Sequence, residues 1–146
     1  MARFRFSLER VLEYRCQLED QAQMDVAKAL AAHNAQAEYM DGLRGKLAQL
    51  EASLYSTEAV TQNDLWLWRR YHTALREDIA KAEVQLQKLA RILTETRQRL
   101  VARSRDKKLL ERLKANQESE FRKEENIKEQ RESDEMATVR FQHGAV

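Results

Sequence analysis

The sequence of 146 residues contains no proline and only three glycines, Gly42, Gly45 and Gly144. Proline breaks helices and glycine weakens them, so very little in this chain would stop a helix. Aromatic residues make up only 7% of the chain, whereas charged residues make up 34%. The apolar side chains are too dispersed for a compact globular core, and they suit a narrow seam between two helices. The scarcity of helix breakers and aromatics predicts an all-α chain.

The sequence also lacks features that define several other protein classes. Cys16 is the only cysteine, which excludes an internal disulfide. No apolar run approaches the length of a transmembrane helix, and the first residues lack the apolar stretch of a signal peptide, so we expect a cytoplasmic protein. With 26 basic and 24 acidic residues the formal net charge is only +2, which argues against nucleic-acid binding.

Residue patterns typical of catalysis or metal binding are also missing. The sequence contains no GxxxxGK[ST] phosphate loop, no HExxH and no CxxC. The three histidines are far apart, and His72 lies among apolar residues whose facing neighbours could not coordinate a metal. Cys16 is expected to be a small, reduced, half-buried residue. We therefore expect no enzyme activity, no cofactor and no metal site.

Two segments have the heptad spacing of a coiled coil, in which apolar residues recur at alternating intervals of three and four. The first helix is predicted at about residues 7–55, and the strict part of its seam consists of Met40, Leu43, Leu47, Leu50 and Leu54. The second helix is predicted at about residues 62–140. Its seam consists of Leu65, Trp68, His72, Leu75, Ile79, Ala82, Leu86, Leu89, Leu93, Thr96 and Leu100.

The periodicity stops at about residues 56–61, which predicts a turn, followed by a capping box of Thr61 and Asp64. A short connection between two long helices forces them antiparallel. The predicted fold is one coiled-coil domain over residues 1–146, an antiparallel hairpin whose second helix is longer. Residues 111–140 are expected to extend beyond the paired region, leaving Phe121 and Ile127 without a partner in the chain. We expect the free protein to be a monomer.

Two large aromatic residues near the predicted turn, Trp66 and Tyr71, lie off the seam. Tryptophan and tyrosine dominate the energetically important contacts of protein interfaces, so these two could form a partner site. Alternatively, they could fold over the turn and cover the end of the core. The sequence leaves both interpretations open.

The beginning and the end of the chain resemble those of a known family. Residues 4–15, FRFSLERVLEYR, resemble the F-x-F-x-L-x-x-V-L-x-x-R start of the bacterial flagellar FliJ proteins. The tail resembles the family in KKLLERLK at 107–114, EQR at 129–131 and DEMATVRF at 134–141. Residues 63–86 also align with the start of the family's second helix. The resemblance therefore covers nearly the whole chain.

This resemblance implies a non-enzymatic component of the flagellar type III export apparatus, which serves motility. FliJ proteins form an antiparallel coiled coil similar to the central stalk of rotary ATPases. The end with both termini enters the hexameric ring of the export ATPase FliI and promotes its assembly. The stalk also contacts the export gate protein FlhA, and family members are reported to handle export chaperones. The implied location is cytoplasmic, peripheral at the inner-membrane export apparatus.

The resemblance also suggests which residues would make these contacts. By alignment, the gate contact falls on Tyr71, Leu75, Asp78 and Ala82, where Asp78 is charged although the family has a small residue. For the ATPase ring we expect contacts from apolar residues at the open end of the hairpin. These are Phe4, Phe6, Leu113, Phe121 and Ile127.

Other interpretations of the same sequence remain in competition. The equivalent stalk of a virulence type III secretion system would have the same shape and the same kind of partner ATPase. A generic coiled-coil scaffold or homodimer would have no ATPase partner and would not change ATP hydrolysis. The balance of charges disfavours a nucleic-acid binder, and an enzyme is the least favoured class.

Overall fold

The structure is a computed structural model that describes residues 2–56 and 61–144. Its two helices are α1 (Glu9–Ser56), with 48 residues, and α2 (Gln62–Gly144), with 83 residues. The helices pack against each other as a hairpin, and the described residues contain no strand. The predicted all-α fold with a longer second helix is confirmed.

The turn between the helices was predicted at about residues 56–61, and residues 57–60 lie outside the described residues. Immediately beyond them, Thr61 and Asp64 form a capping box. The Asp64 amide donates to Thr61 Oγ1 at 3.2 Å, and the Thr61 amide donates to Asp64 Oδ2 at 3.4 Å. These two bonds satisfy amides that have no partner within the first turn of α2, so they fix where this helix begins.

Residues 20–101 form one compact unit. The main cluster of its core consists of Met40, Leu43, Leu75 and Ala82, with Leu47, Leu50, Ile79 and Leu86 packed against them. Each residue of the seam predicted for α2 between Leu65 and Leu100 is buried or half-buried, so that seam is confirmed. The alternation of three and four keeps these side chains on the side of α2 that faces α1.

Polar groups in this unit bond across the helices without interrupting the seam. The Trp68 indole donates to the Leu50 carbonyl at 2.9 Å, and Gln36 Nε2 donates to the Ala82 carbonyl at 3.1 Å. Ala82 is only 3% exposed, and its small side chain lets Gln36 reach the backbone of α2. The first bond joins the end of α1 to the beginning of α2, and the second joins an earlier part of α1 to a later part of α2, so together they support the antiparallel pairing.

Residues 1–19 and 102–146 form a second compact unit. Its core consists of Phe6, Leu12 and Leu110, with Phe4 and Cys16 packed against it. The ring centroids of Phe4 and Phe121 are 5.6 Å apart. The expectation that Phe121 has no partner in the chain is therefore wrong.

The partner of Phe121 comes from residues before α1. Residues 2–6 are not helical, and α1 begins only at Glu9. A non-helical chain covers up to about 3.3 Å per residue, against about 1.5 Å in a helix, so these few residues reach farther along α2 than a helical turn would. A heptad seam contains only helical residues, so the predicted seam does not include the contact between Phe4 and Phe121.

The last part of α2 remains helical to Gly144 although its side chains are exposed. Each residue from Asn126 to Gly144 is exposed. The predicted unpaired extension began at residue 111, but Lys114 and Phe121 both contact the N-terminal part of the chain. We define the tail as residues 126–144, the end of α2 in which every residue is exposed.

Candidate partner-binding surfaces

The described residues offer surfaces and no enclosed chemical centre. Within residues 2–56 and 61–144, no three His, Cys, Asp or Glu side chains gather in a way that could hold a metal ion. His72 stacks on the Trp68 ring at 4.7 Å, and its Nε2 lies 3.1 Å from a carboxylate oxygen of Glu51. Neither described helix has an apolar segment long enough to cross a membrane.

The first surface lies at the beginning of α2, and we call it the tip surface. It consists of Trp66, Leu67, Arg70 and Tyr71. Trp66 is 56% exposed, Leu67 58% and Tyr71 50%, so each side chain presents about half of its surface to solvent. The Arg70 guanidinium lies 5.1 Å from the Trp66 ring centroid, where the negative face of the ring attracts it. Exposed clusters of large apolar side chains commonly mark interaction sites.

The four residues aligned with the gate contact form one stripe beside this surface. Tyr71, Leu75, Asp78 and Ala82 are spaced four, three and four apart, so they follow one side of α2. The structure buries Leu75 and Ala82 in the core with Met40, whereas Tyr71 and Asp78 are exposed. A partner on this stripe would therefore touch the exposed pair, and the buried pair would hold the helix in place beneath them.

Leu67 belongs to the tip surface although the sequence analysis did not select it. It lies four residues before Tyr71, one helical turn earlier on the same side of α2. The signal was present in the sequence, because Leu67 is a large apolar residue outside the seam. It was missed because an isolated leucine between Trp66 and Trp68 has no distinctive spacing of its own.

The second surface lies at the open end of the hairpin, where some of the predicted contact residues are buried and others are exposed. Phe6 is only 8% exposed and belongs to the core, and Phe4 and Phe121 half-bury each other. Leu113 is 38% exposed and Ile127 51% exposed. Of the five predicted contact residues, three thus pack within the chain and two remain accessible.

The tail carries further apolar residues that are not among the predicted ATPase contacts. Met136 is 62% exposed, Val139 51% and Phe141 78%. At about 100° per residue, Phe141 lies on the same side of the helix as Ile127, and Met136 lies on the opposite side together with Val139. The tail therefore presents apolar side chains in two opposite directions. The two pairs do not share one heptad seam, and this is why the four residues lie on two sides of the helix.

Two ion pairs connect α1 to the part of α2 that precedes the tail. Lys107 Nζ lies 3.3 Å from a carboxylate oxygen of Glu19, and Lys114 Nζ lies 2.9 Å from one of Glu9. The hydrogen bond to Glu19, together with its negative charge, raises the pKa of Lys107 above its usual value. The hydrogen bond to Glu9 likewise raises the pKa of Lys114. Both lysines occupy seam positions, so their charges are directed towards α1.

A comparison with protein families matches the chain to the model described as "Flagellar FliJ protein" over residues 4–145. Neither a search of curated proteins nor a search of solved structures finds a match. The matched range includes the non-helical residues Phe4 and Phe6, both helices and the whole tail. The chain belongs to the flagellar FliJ family, and it is a coiled-coil protein associated with flagellar export.

Proposed function

We propose that this chain is a central-stalk-like component of the flagellar export machinery, which binds the ring of the export ATPase FliI through its tail. The observation that carries the proposal is the distribution of apolar residues on the tail. Ile127 and Phe141 lie on one side of α2, and Met136 and Val139 lie on the opposite side. All four are at least half exposed.

Such a tail fits a partner that surrounds it. A single flat partner could cover only one of the two sides and would leave the other in water. Subunits arranged as a ring could bury both, and each large apolar side chain would contribute up to roughly 1.5–3 kcal/mol if fully desolvated. The charged residues between them limit how tightly the tail adheres to any one subunit. Burial of the tail would link several subunits at once, and this would promote ring assembly.

The test is a titration of the chain into the purified ATPase, with ATP hydrolysis and oligomer size as readouts. The variant carries Ile127→Ser and Phe141→Ser, and the control carries Val84→Ser and Ile92→Ser. Val84 is 55% exposed and Ile92 47% exposed, both on α2 outside the tail. We expect the tail variant to lose stimulation and hexamer formation and the control to keep both. Equal stimulation by the two variants would refute tail binding.

We also infer that the tip surface links the chain to the export gate protein FlhA. The supporting observations are the exposure of Leu67 and Tyr71 and the alignment of Tyr71 with the family's gate contact. A variant with Leu67→Ala and Tyr71→Ala should stay folded, because both side chains are at least half exposed. It should lose gate binding in a pull-down, whereas Tyr39→Ala, at a tyrosine that is 56% exposed on α1, should keep it. Full gate binding by the double variant would refute the proposal that the tip surface binds the gate protein.

Several other features of the family are proposals for this chain. They include the handling of export chaperones, a cytoplasmic location beside the membrane apparatus and a monomeric free state. The family match favours the flagellar system over the virulence system, whose stalk would have the same architecture. A generic scaffold would leave ATP hydrolysis unchanged in the titration above, so the same experiment separates it from a stalk.

A further inference from the structure

Charged residues are sorted by side along one part of α2. The seam of this part recurs every seven residues at Lys107, Lys114 and Phe121, with intermediate members at Leu110 and Gln117. We define the outer face as the positions of residues 102–126 that lie opposite this seam. A heptad places three of its seven positions there, and they point away from α1.

Every charged residue on the outer face is basic. These residues are Arg105, Lys108, Arg112, Arg122 and Lys123, and all are exposed. The same stretch contains six acidic residues, and each of them lies on the seam or directly beside it. They are Asp106, Glu111, Glu118, Glu120, Glu124 and Glu125. The near-neutral composition of the chain conceals this separation, because the opposite charges occupy different sides of one helix.

The outer-face charges are largely unneutralised within the chain. Arg122 donates to a carboxylate oxygen of Glu118 at 3.1 Å. Arg105, Lys108, Arg112 and Lys123 form no ion pair or side-chain hydrogen bond with any residue of the ranges 2–56 and 61–144. The seam lysines of the same helix differ, because Lys107 and Lys114 are held by carboxylates of α1. The outer face is therefore an accessible cationic strip.

The shape of this strip suits an extended anionic surface. From Arg105 to Lys123 it covers about 27 Å along a convex helix, at about 1.5 Å per residue. It carries no aromatic residue of the kind that anchors a protein interface, and its large apolar residue, Leu109, is 63% exposed. A nucleic-acid duplex crossing a convex helix would meet only the few residues at the crossing. A plane touches the strip along its whole length.

We propose that the outer face of α2 docks on the surface of an anionic lipid bilayer. Lysine and arginine side chains near such a surface are attracted by its negative potential, and an exposed leucine can enter the headgroup region. The small residues between the cations, such as Ala115 and Ser119, allow the helix to approach closely. This inference does not rest on the proposed binding to the ATPase, and it uses different residues.

The test measures co-sedimentation of the full chain with vesicles. One set contains phosphatidylcholine alone, and the other contains phosphatidylcholine with phosphatidylglycerol. We expect binding to the anionic vesicles only, with a decrease at higher salt because mobile ions screen the charges. A variant with Arg105→Gln, Lys108→Gln and Arg112→Gln should bind on the order of 100-fold more weakly, since each cation near the surface contributes about fivefold.

The control makes the same change of charge elsewhere. Lys28→Gln, Arg44→Gln and Lys46→Gln remove three exposed cations from α1 and should leave vesicle binding unchanged. Circular dichroism should show equal helicity for both variants, because glutamine is a good helix former. Replacement of Arg105 and Arg112 by lysine should preserve binding, since a membrane surface requires charge and not a guanidinium fork.

Three outcomes would overturn the proposal. The first is equal binding of the outer-face variant and the control, which would mean that only net charge matters. The second is equal binding to the two kinds of vesicle. The third is capture of an acidic helical peptide or a DNA duplex by the outer face, with no binding to anionic vesicles at low salt.

Discussion

Phe6 connects the non-helical N-terminal residues to the long second helix, and its removal tests that connection. The side chain is 8% exposed and packs with Leu12 and Leu110. Replacing a buried phenylalanine by alanine typically costs about 3–5 kcal/mol. The cluster is small and lies near the end of the chain, where neighbours can partly collapse into the space. We therefore expect Phe6→Ala to lower the free energy of unfolding by about 3 kcal/mol, at the lower end of that range.

The assay is urea denaturation followed by circular dichroism, with Phe141→Ala as the matched control. Phe141 is 78% exposed, so the same chemical change there should alter stability by less than about 0.5 kcal/mol. If residues 1–19 and 102–146 unfold in a separate transition, the loss from Phe6→Ala will appear in that transition. Equal stability of the two variants would refute the packing of Phe6 against α2.

The remaining predictions concern the seam, the ion pairs and the tail. Ala82→Leu, at a residue 3% exposed, should overpack the seam and cost about 1–3 kcal/mol in a thermal melt, whereas Ala80→Leu on the exposed side should be nearly neutral. The raised pKa values of Lys107 and Lys114 mean that their ion pairs contribute fully at lower pH, and that this contribution is lost as the pH rises above 10.5. A Lys107→Gln, Lys114→Gln variant should therefore have a lower urea midpoint than the parent at neutral pH. The two midpoints should converge at strongly alkaline pH. A difference in urea midpoint that does not change with pH would contradict a stabilising role of these ion pairs. Truncation after Glu125 should leave the melting temperature unchanged, because each residue from 126 to 144 is exposed, whereas truncation after Leu110 should lower it by removing Lys114 and Phe121.

The hairpin could be predicted because the positions that form it recur regularly along each helix. The spacing from Leu65 to Leu100 determines which side of α2 is apolar, and the structure buries or half-buries each of those residues. The capping box of Thr61 and Asp64 could be predicted for the same reason, since its partners are three residues apart. In both cases the interacting positions follow from the helix repeat alone.

The contacts of the first residues could not be predicted in this way. Phe4 meets Phe121 across 117 positions of sequence, through a segment without a helical repeat. Heptad spacing carries no information about such a segment, so it leaves Phe121 without a partner in the chain. The family alignment includes Leu75 and Ala82 in the gate contact, although their seam positions already imply burial. A family alignment identifies positions, and only packing shows which of them are accessible.

We propose that the tail of α2 lies inside the ring of the export ATPase. The most direct test of this proposal is photocrosslinking. A benzophenone amino acid replaces Phe141 in one variant and Val84 in the control. Both positions are at least half exposed on α2, so the reagent is accessible at each. We predict adducts with the ATPase in the presence of ATP from position 141 and none from position 84. Adducts from position 84 alone, or none from position 141 while the chain still stimulates ATP hydrolysis, would contradict it.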